Sequence, residues 1–378
     1  MVKKKMKINI LGTYFGCSGY DIHTKHLAQA LNKYNEVSVE CQKPQNWLMQ
    51  VTDEELEMFK RNPEDAEVNI LIGLPIHWKQ VMCDNKKFIG FLVWEGDKIP
   101  KTWIEILKDE RVEQIWVPSQ HTLDAVIAVL NGKTVFKNVD DEIIEQKLRN
   151  KLKIVPHGVN LDIFKQTEKP KDTPFTFLYN KGFRGLRDRG GLQYALKAFH
   201  EEFGDKKDVR FMIKINPSYG IVNFENELKK LGIEKNPGNI LVSFENLPYD
   251  KLIDFYKNGD VFVNTTLAEA FHLGCLEAMS CGLPCLSTTF GGMSDFINND
   301  NGWLLNEGEL KEVSSELLYE GIKWKIPSIK EIREKMRYIY NNKEEIKTKS
   351  LKAIEKAKQM SWDNSAKIAN EFLKEIKN

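Results

Sequence analysis

A chain of 378 residues is too long for one comfortable hydrophobic core and suits two domains of ordinary size. Its 55 basic and 54 acidic residues leave a formal charge of +1, so it lacks the basic footprint that nucleic-acid binding calls for. With 42% hydrophobic and 29% charged residues it has the make-up of a soluble globular protein, and its six scattered cysteines (Cys17, Cys41, Cys83, Cys275, Cys281, Cys285) show neither CxxC spacing nor disulfide density, which fits a reducing cytoplasm.

The opening lysines precede an apolar stretch, Ile8–Leu11, that is broken by Asn9 and ends at Gly12, so a first strand is expected there and not a signal peptide. No run approaches the ~18 apolar residues that cross a bilayer. Strands are then expected at Lys7–Leu11, Glu36–Glu40, Val68–Ile72, Phe88–Trp94, Gln114–Val117 and Lys153–Val155, with a helix at Ile22–Tyr34 whose Leu27, Ala30 and Leu31 share a face. Several of these strands are apolar without alternation, as strands buried on both faces are. A second cycle begins at Pro174, with strands at Phe175–Tyr179, Arg210–Ile215, Ile240–Phe244, Val261–Asn264 and Pro284–Thr288, and helices at Leu192–Phe203, Tyr249–Lys257 and Leu273–Ser280. Two successive αβ series predict two doubly wound domains, with ligands near the carboxyl ends of their strands. The polar stretch Lys165–Thr173 is expected as the linker, and the tail from Glu309 is expected to be helical. There is no internal repeat and no low-complexity tract.

Chemistry concentrates in Asp260–Gly302. A strand ends at Asn264, a loop carries Glu269, and a helix from Leu273 carries Glu277, with seven residues between the two glutamates. Gly282 and Pro284 stop that helix before the next strand. Its N-terminus, beside the strand end, offers backbone N–H groups and a positive dipole end to an anion such as a diphosphate. Two carboxylates along one loop and helix can address the two ends of an elongated ligand, and carboxylates accept well from sugar hydroxyls. Two glutamates at this separation on a solvated helix face would mean little; strand, Glu, seven residues, Glu-Ala-Met and Gly-x-Pro together are far more specific.

This run resembles the retaining glycosyltransferases of family four, the glycosyl transferases group 1, whose fold is called GT-B. Their Glu-Gly-Phe-Gly-Leu followed by Glu-Ala-Met-Ala-x-Gly-x-Pro is here Glu269-Ala270-Phe271-His272-Leu273, then Glu277-Ala278-Met279-Ser280-Cys281-Gly282-Leu283-Pro284. The resemblance implies that Glu269 contacts the donor sugar, that Glu277 holds the ribose hydroxyls, and that Phe271, His272, Leu273 and Leu276 line the donor site. Ala270 and His272 depart from the usual glycines in a loop that meets the hexose through its backbone.

After the strand Phe175–Tyr179 comes a loop with Lys181, Arg184, Arg187 and Arg189. The family carries an Arg and, five residues later, a Lys-Gly that clamp the diphosphate; Arg184 and Arg189 fall at that spacing, with Arg189 in place of Lys. A guanidinium suits phosphate oxygens, although a basic loop read alone is more often a solvated surface than a ligand site; its place after the first strand of a Rossmann-like domain favours the ligand site. Gly16 and Gly19, in the loop Gly12–Tyr20, stand where the family lets backbone approach phosphates and sugar; this loop is not a G-x-G-x-x-G dinucleotide fingerprint. Trp94-Glu95 stands where many members have a His and one branch has Trp-Glu. Glu95 is a candidate for orienting the acceptor or assisting proton transfer, with a structural salt bridge as the alternative. His157 in Pro156-His157-Gly158-Val159-Asn160 reads as a hinge residue, His23 and His26 share a helix face without a partner motif, and the role of Asp295 stays open. Cys275, Cys281 and Cys285 read as small packed hydrophobes.

The resemblance therefore implies a GT-B protein with two Rossmann-like domains facing a cleft: residues 1–165 on the acceptor side, joined by a returning helix at 363–378, and residues 166–362 on the donor side. The expected activity is retaining transfer of a hexose from a UDP- or GDP-linked donor to a glycan, lipid or other acceptor. No metal or other cofactor is expected. A nucleotide-sugar epimerase and a non-catalytic nucleotide-sugar sensor or partner subunit are the alternatives. The expected partners are the donor and an acceptor, without nucleic acid. Lys-rich terminal helices admit contact with anionic lipid, and their interleaved glutamates favour a solvated face.

Overall fold

A computed structural model describes residues 5–41, 51–130, 139–217, 223–313 and 317–376. The chain divides into two compact units: Met1–Gly158 with Val313–Ile322 and Met360–Asn378, and Val159–Glu312 with Lys323–Gln359. The sequence alone suggests a boundary at 165/166. Val159–Phe164 instead groups with the second unit because Phe164 packs edge-on against Tyr249, with centroids 5.1 Å apart, and its carbonyl accepts from Ser280 at 2.7 Å.

The first unit is built on a six-stranded parallel sheet. Its strands are β1 (Lys7–Gly12), β2 (Glu36–Cys41), β3 (Val68–Ile72), β4 (Lys87–Phe91), β5 (Val112–Val117) and β6 (Leu152–Ile154), in the order β2-β1-β3-β4-β5-β6. Its central strands are largely buried and mostly apolar, with Asn9, Asn69 and Gln114 as buried polar residues, as befits strands covered on both faces. The helix Gly19–Asn32 starts at a capping box in which Ser18 accepts from the Asp21 N–H and Asp21 accepts from the Ser18 N–H at 3.1 Å. The last helix, Trp362–Ile376, packs on that first helix and is held by Asn35–Asn370 at 3.1 Å and by Gln114 donating to the Phe372 carbonyl at 2.9 Å. Gly158 is obligatory at this docking: a Cβ there would lie 2.2 Å from the Trp362 nitrogen.

The second unit has its own six-stranded parallel sheet: β7 (Phe175–Lys181), β8 (Val209–Ile215), β9 (Ile240–Ser243), β10 (Val261–Asn264), β11 (Cys285–Thr288) and β12 (Gly302–Leu305). The order is β12-β11-β10-β7-β8-β9, so chain direction across the sheet reverses between β7 and β10. In a doubly wound sheet that switch point opens a crevice at the carboxyl ends of the strands, where ligands bind. Both sheets and their helices give the two-domain α/β fold expected from the sequence.

Three local expectations changed. The expected helix Tyr249–Lys257 is a 3-10 turn at Tyr249–Lys251 leading into a short helix, Leu252–Tyr256. The tail from Glu309 is not helical at its start: β13 (Gly308–Glu312) and β14 (Lys323–Pro327) form an antiparallel hairpin before the helices Ile329–Asn341 and Glu344–Gln359. Every residue of β13 is exposed, so nothing selects a period-two apolar pattern, and Glu-Leu-Lys-Glu reads as helix. β12 was also missed; its run, Gly302–Leu305, is four residues long and follows an Asn-rich turn. Among the described residues no helix is long and apolar enough to cross a membrane.

Candidate functional site

The switch point of the second sheet gathers two loops, one after β7 and one after β10. They are stitched together by backbone: Leu267 N–H donates to the Arg189 carbonyl at 2.9 Å, Thr266 Oγ1 to the same carbonyl at 3.0 Å, and Thr265 Oγ1 to the Gly191 carbonyl at 2.8 Å. Such close approach needs Gly191, whose φ is +80° and whose Cβ, if present, would sit 1.8 Å from the Thr265 carbonyl oxygen. Behind the loops, Gly292 N–H donates to the Glu269 carbonyl at 2.9 Å, and Lys325 N–H of β14 to the Leu267 carbonyl at 3.0 Å.

Within this frame Glu269 is ringed by cations. Lys181, the last residue of β7, ion-pairs with its carboxylate and donates to Thr266 Oγ1 at 3.2 Å. Arg189 stands 3.7 Å from the other carboxylate oxygen and donates to the Ala268 carbonyl at 3.0 Å. Burial raises the proton affinity of Glu269, but the charges of Lys181 and Arg189 outweigh it and hold the carboxyl well below the usual carboxylate range. Arg184 lies on the same loop with its side chain exposed, and its N–H is taken by Asp188 at 2.8 Å. Lys181 is therefore the cation closest to Glu269, with Arg189 beside it, although in sequence Lys181 is only one of four basic residues around this loop.

Glu277, on the helix Leu273–Ser280, is 4% exposed. Tyr249 donates to one of its carboxylate oxygens at 2.9 Å and Tyr256 to the other at 2.8 Å, while Asn180 donates to the Tyr256 oxygen at 3.1 Å. Burial pushes the Glu277 carboxyl up, against the two tyrosine bonds and the charge of Lys214. These tyrosines went unseen in the sequence, which gives no spacing signal for partners 21 and 28 residues away. Leu273 is partly buried, whereas Phe271 and Leu276 are buried in the core, Phe271 against Phe296 at 5.1 Å. His272 sits at the N-cap of the helix with φ +78°, and Asp295 is exposed after Gly291-Gly292. Cys275, Cys281 and Cys285 are buried and unpaired by disulfides, and burial raises the first two thiols.

The remaining candidates belong to the first unit. Gly16 is packed so that a Cβ would meet Asp21 Oδ2 at 2.6 Å; Gly19 opens the first helix with free space around it. The Glu95 carboxylate accepts from Tyr319 at 2.5 Å, and its carbonyl is 2.8 Å from His121 Nε2. Trp94 is buried, stacks on Tyr319 at 5.1 Å and donates to the Lys98 carbonyl at 2.7 Å. His157 is buried 4.1 Å from His23 and 5.8 Å from Trp362 by ring centroids.

Two six-stranded parallel sheets of this kind, each in its own unit, give the two-domain α/β fold called GT-B, and solved structures share that fold across nearly the whole chain. Sucrose-phosphate synthase from Thermosynechococcus elongatus is similar with a TM-score of 0.68, 13% identity and 98% and 99% of the two chains covered. HepE from Anabaena, in complex with UDP and glucose, is similar with a TM-score of 0.65, 14% identity and 98% and 100% covered. In sequence, residues 182–319 match the family described as glycosyl transferases group 1. D-inositol 3-phosphate glycosyltransferase from Acidothermus cellulolyticus is 24% identical over 168 residues, 42% of this chain and 38% of that protein. The chain spans about half the length, or less, of the curated relatives it matches over longer stretches.

Proposed function

We propose that the chain is a glycosyltransferase that moves a hexose from a UDP- or GDP-linked donor to an acceptor, with retention of anomeric configuration and without a divalent ion. One observation carries this: Lys181, Arg189 and Glu269 converge at the β7/β10 switch point, with Glu277 behind them on the adjoining helix. The group 1 match over residues 182–319 and the UDP and glucose bound by HepE support it.

In this reading Glu277, fixed by Tyr249 and Tyr256, accepts from the ribose hydroxyls. Lys181 and Arg189, with Arg184 at the loop surface, meet the diphosphate, aided by the N-terminus of the Leu273 helix. The bond from the anomeric carbon to the diphosphate oxygen breaks, and the acceptor oxygen bonds to that carbon on the same face. The acceptor's proton leaves with the departing phosphate. Lys181 and Arg189 stabilise the charge growing on that phosphate, and the ionised Glu269 faces the positive charge growing on the sugar. Glu95, in the first unit, is proposed to orient the acceptor, its carboxylate being set by Tyr319.

The test is donor binding by calorimetry and transfer kinetics in Glu277→Ala and Glu269→Gln. Glu277→Ala should weaken binding of the nucleoside diphosphate at least tenfold, the loss of a charged hydrogen-bond acceptor being about 1.5–3 kcal/mol. Glu269→Gln should leave that binding nearly intact and slow transfer. Equal, small effects from both would overturn the assignment, and abolition of transfer by EDTA would overturn metal independence.

A further inference from the structure

His272 is one of two non-glycine residues with positive φ among the described residues. An L-residue at φ 78°, ψ 75° bears strain that glycine would not. Its side chain has a defined task, since Nδ1 accepts from the Cys275 N–H at 3.1 Å and caps the helix. A cap alone does not call for histidine, because Asn or Gly caps well and tolerates this backbone. What histidine adds is a second nitrogen. With Nδ1 occupied as an acceptor, the neutral ring carries its proton on Nε2. The residue is 8% exposed, its ring lies 6.1 Å edge-on from Phe262, and it is near enough to Lys181, Glu269 and Arg189 for their charges to act on it.

We propose that His272 is a specificity-determining residue, a neutral N–H donor of fixed tautomer that binds a hydroxyl of the transferred sugar; this rests on the donor-site reading above. Lys181 and Arg189 already supply the positive charge a diphosphate needs. Burial, and next the charge of Lys181, push the imidazole down to about 3, so it stays uncharged and adds nothing to that clamp. A single uncharged donor beside a phosphate clamp is suited to an uncharged acceptor, and sugar hydroxyls are the uncharged acceptors of such a donor. The ring is held over the first turn of the helix, where a Cβ on Gly274 would lie 3.4 Å from its Cε1, so the N–H has a set direction and can distinguish hydroxyl configurations.

The experiment uses His272→Gly and His272→Asn, both compatible with positive φ, beside wild type and Glu277→Ala. Calorimetry gives Kd for UDP, GDP and a panel of their hexose conjugates, and kinetics give kcat/KM for pairs of epimeric sugars. In the His272 variants the ratio of conjugate Kd to nucleoside-diphosphate Kd should rise about tenfold, the size of one hydrogen bond. Discrimination between epimers should fall by a similar factor. Ratios within twofold of wild type, with only the melting temperature altered, would reduce His272 to a helix cap and overturn the proposal while leaving the donor site standing. Failure of the wild-type protein to bind any nucleoside diphosphate would overturn the donor-site reading and this proposal together.

Discussion

Replacing Lys181 with Met tests the electrostatics of the site without touching its backbone. The change strips Glu269 of its closest cation; the two side chains are 17% and 19% exposed, and Arg189 remains 3.7 Å away. Removing one partner of a buried pair costs about 3–5 kcal/mol. Partial exposure and the remaining arginine lower the expected cost here to about 2–3 kcal/mol at pH 7, or a melting shift of about 4–10 °C. The pH dependence carries the sharper signature. In the wild type the depressed Glu269 carboxyl contributes stability that is fully present above the unfolded value of about 4.3 and is lost as pH falls toward the lower folded value. In Lys181→Met, burial is opposed mainly by Arg189, so the folded carboxyl rises and takes up a proton at higher pH. The cost should therefore be larger at pH 7 than at pH 4, as measured by urea unfolding at both. In Glu269→Gln the same lysine change should cost much less, giving a coupling of about 1–3 kcal/mol. A cost independent of pH, or additive with Glu269→Gln, would refute the argument.

Two further perturbations read other parts of the molecule. Gly191→Ala should destabilise the second unit by at least about 2 kcal/mol in chemical unfolding, from the left-handed backbone and a Cβ placed 1.8 Å from the Thr265 carbonyl oxygen; a stable alanine variant would show that the two loops are not tightly apposed. In the first unit, burial and then His157 hold His23 well below its ordinary value, and burial and then Lys25 bring His26 to about 4. Below the unfolded value of about 6.5 the unfolded chain takes up protons that the folded chain refuses, so stability should fall by about 1.4 kcal/mol per pH unit for each histidine until its folded value is reached. His23→Phe should remove one share of that slope in urea midpoints measured between pH 7 and 5, and an unchanged slope would contradict it.

Periodicity carried the two αβ series because buried parallel strands and amphipathic helices write their environment into local composition. The spacing of Glu269 and Glu277 was equally legible, since both lie on one loop and helix whose register the chain itself sets. Positive charge in the loop after β7 was visible too, but four basic residues within nine positions are equivalent in sequence. Pairing of β7 beside β10 brings Lys181 to Glu269 across 88 residues and leaves Arg184 at the surface. Tyr249 and Tyr256 became partners of Glu277 in the same way, through packing that no local pattern encodes. His272 shows the division within one residue. Its sequence position marked it as a departure from glycine, and only the backbone conformation around it showed that the imidazole caps a helix with one nitrogen and keeps its proton on the other. Local chemistry determines which side chains are present and which elements form; which of them meet is decided by strand order, because hydrogen bonds and ion pairs act over a few ångströms regardless of separation along the chain.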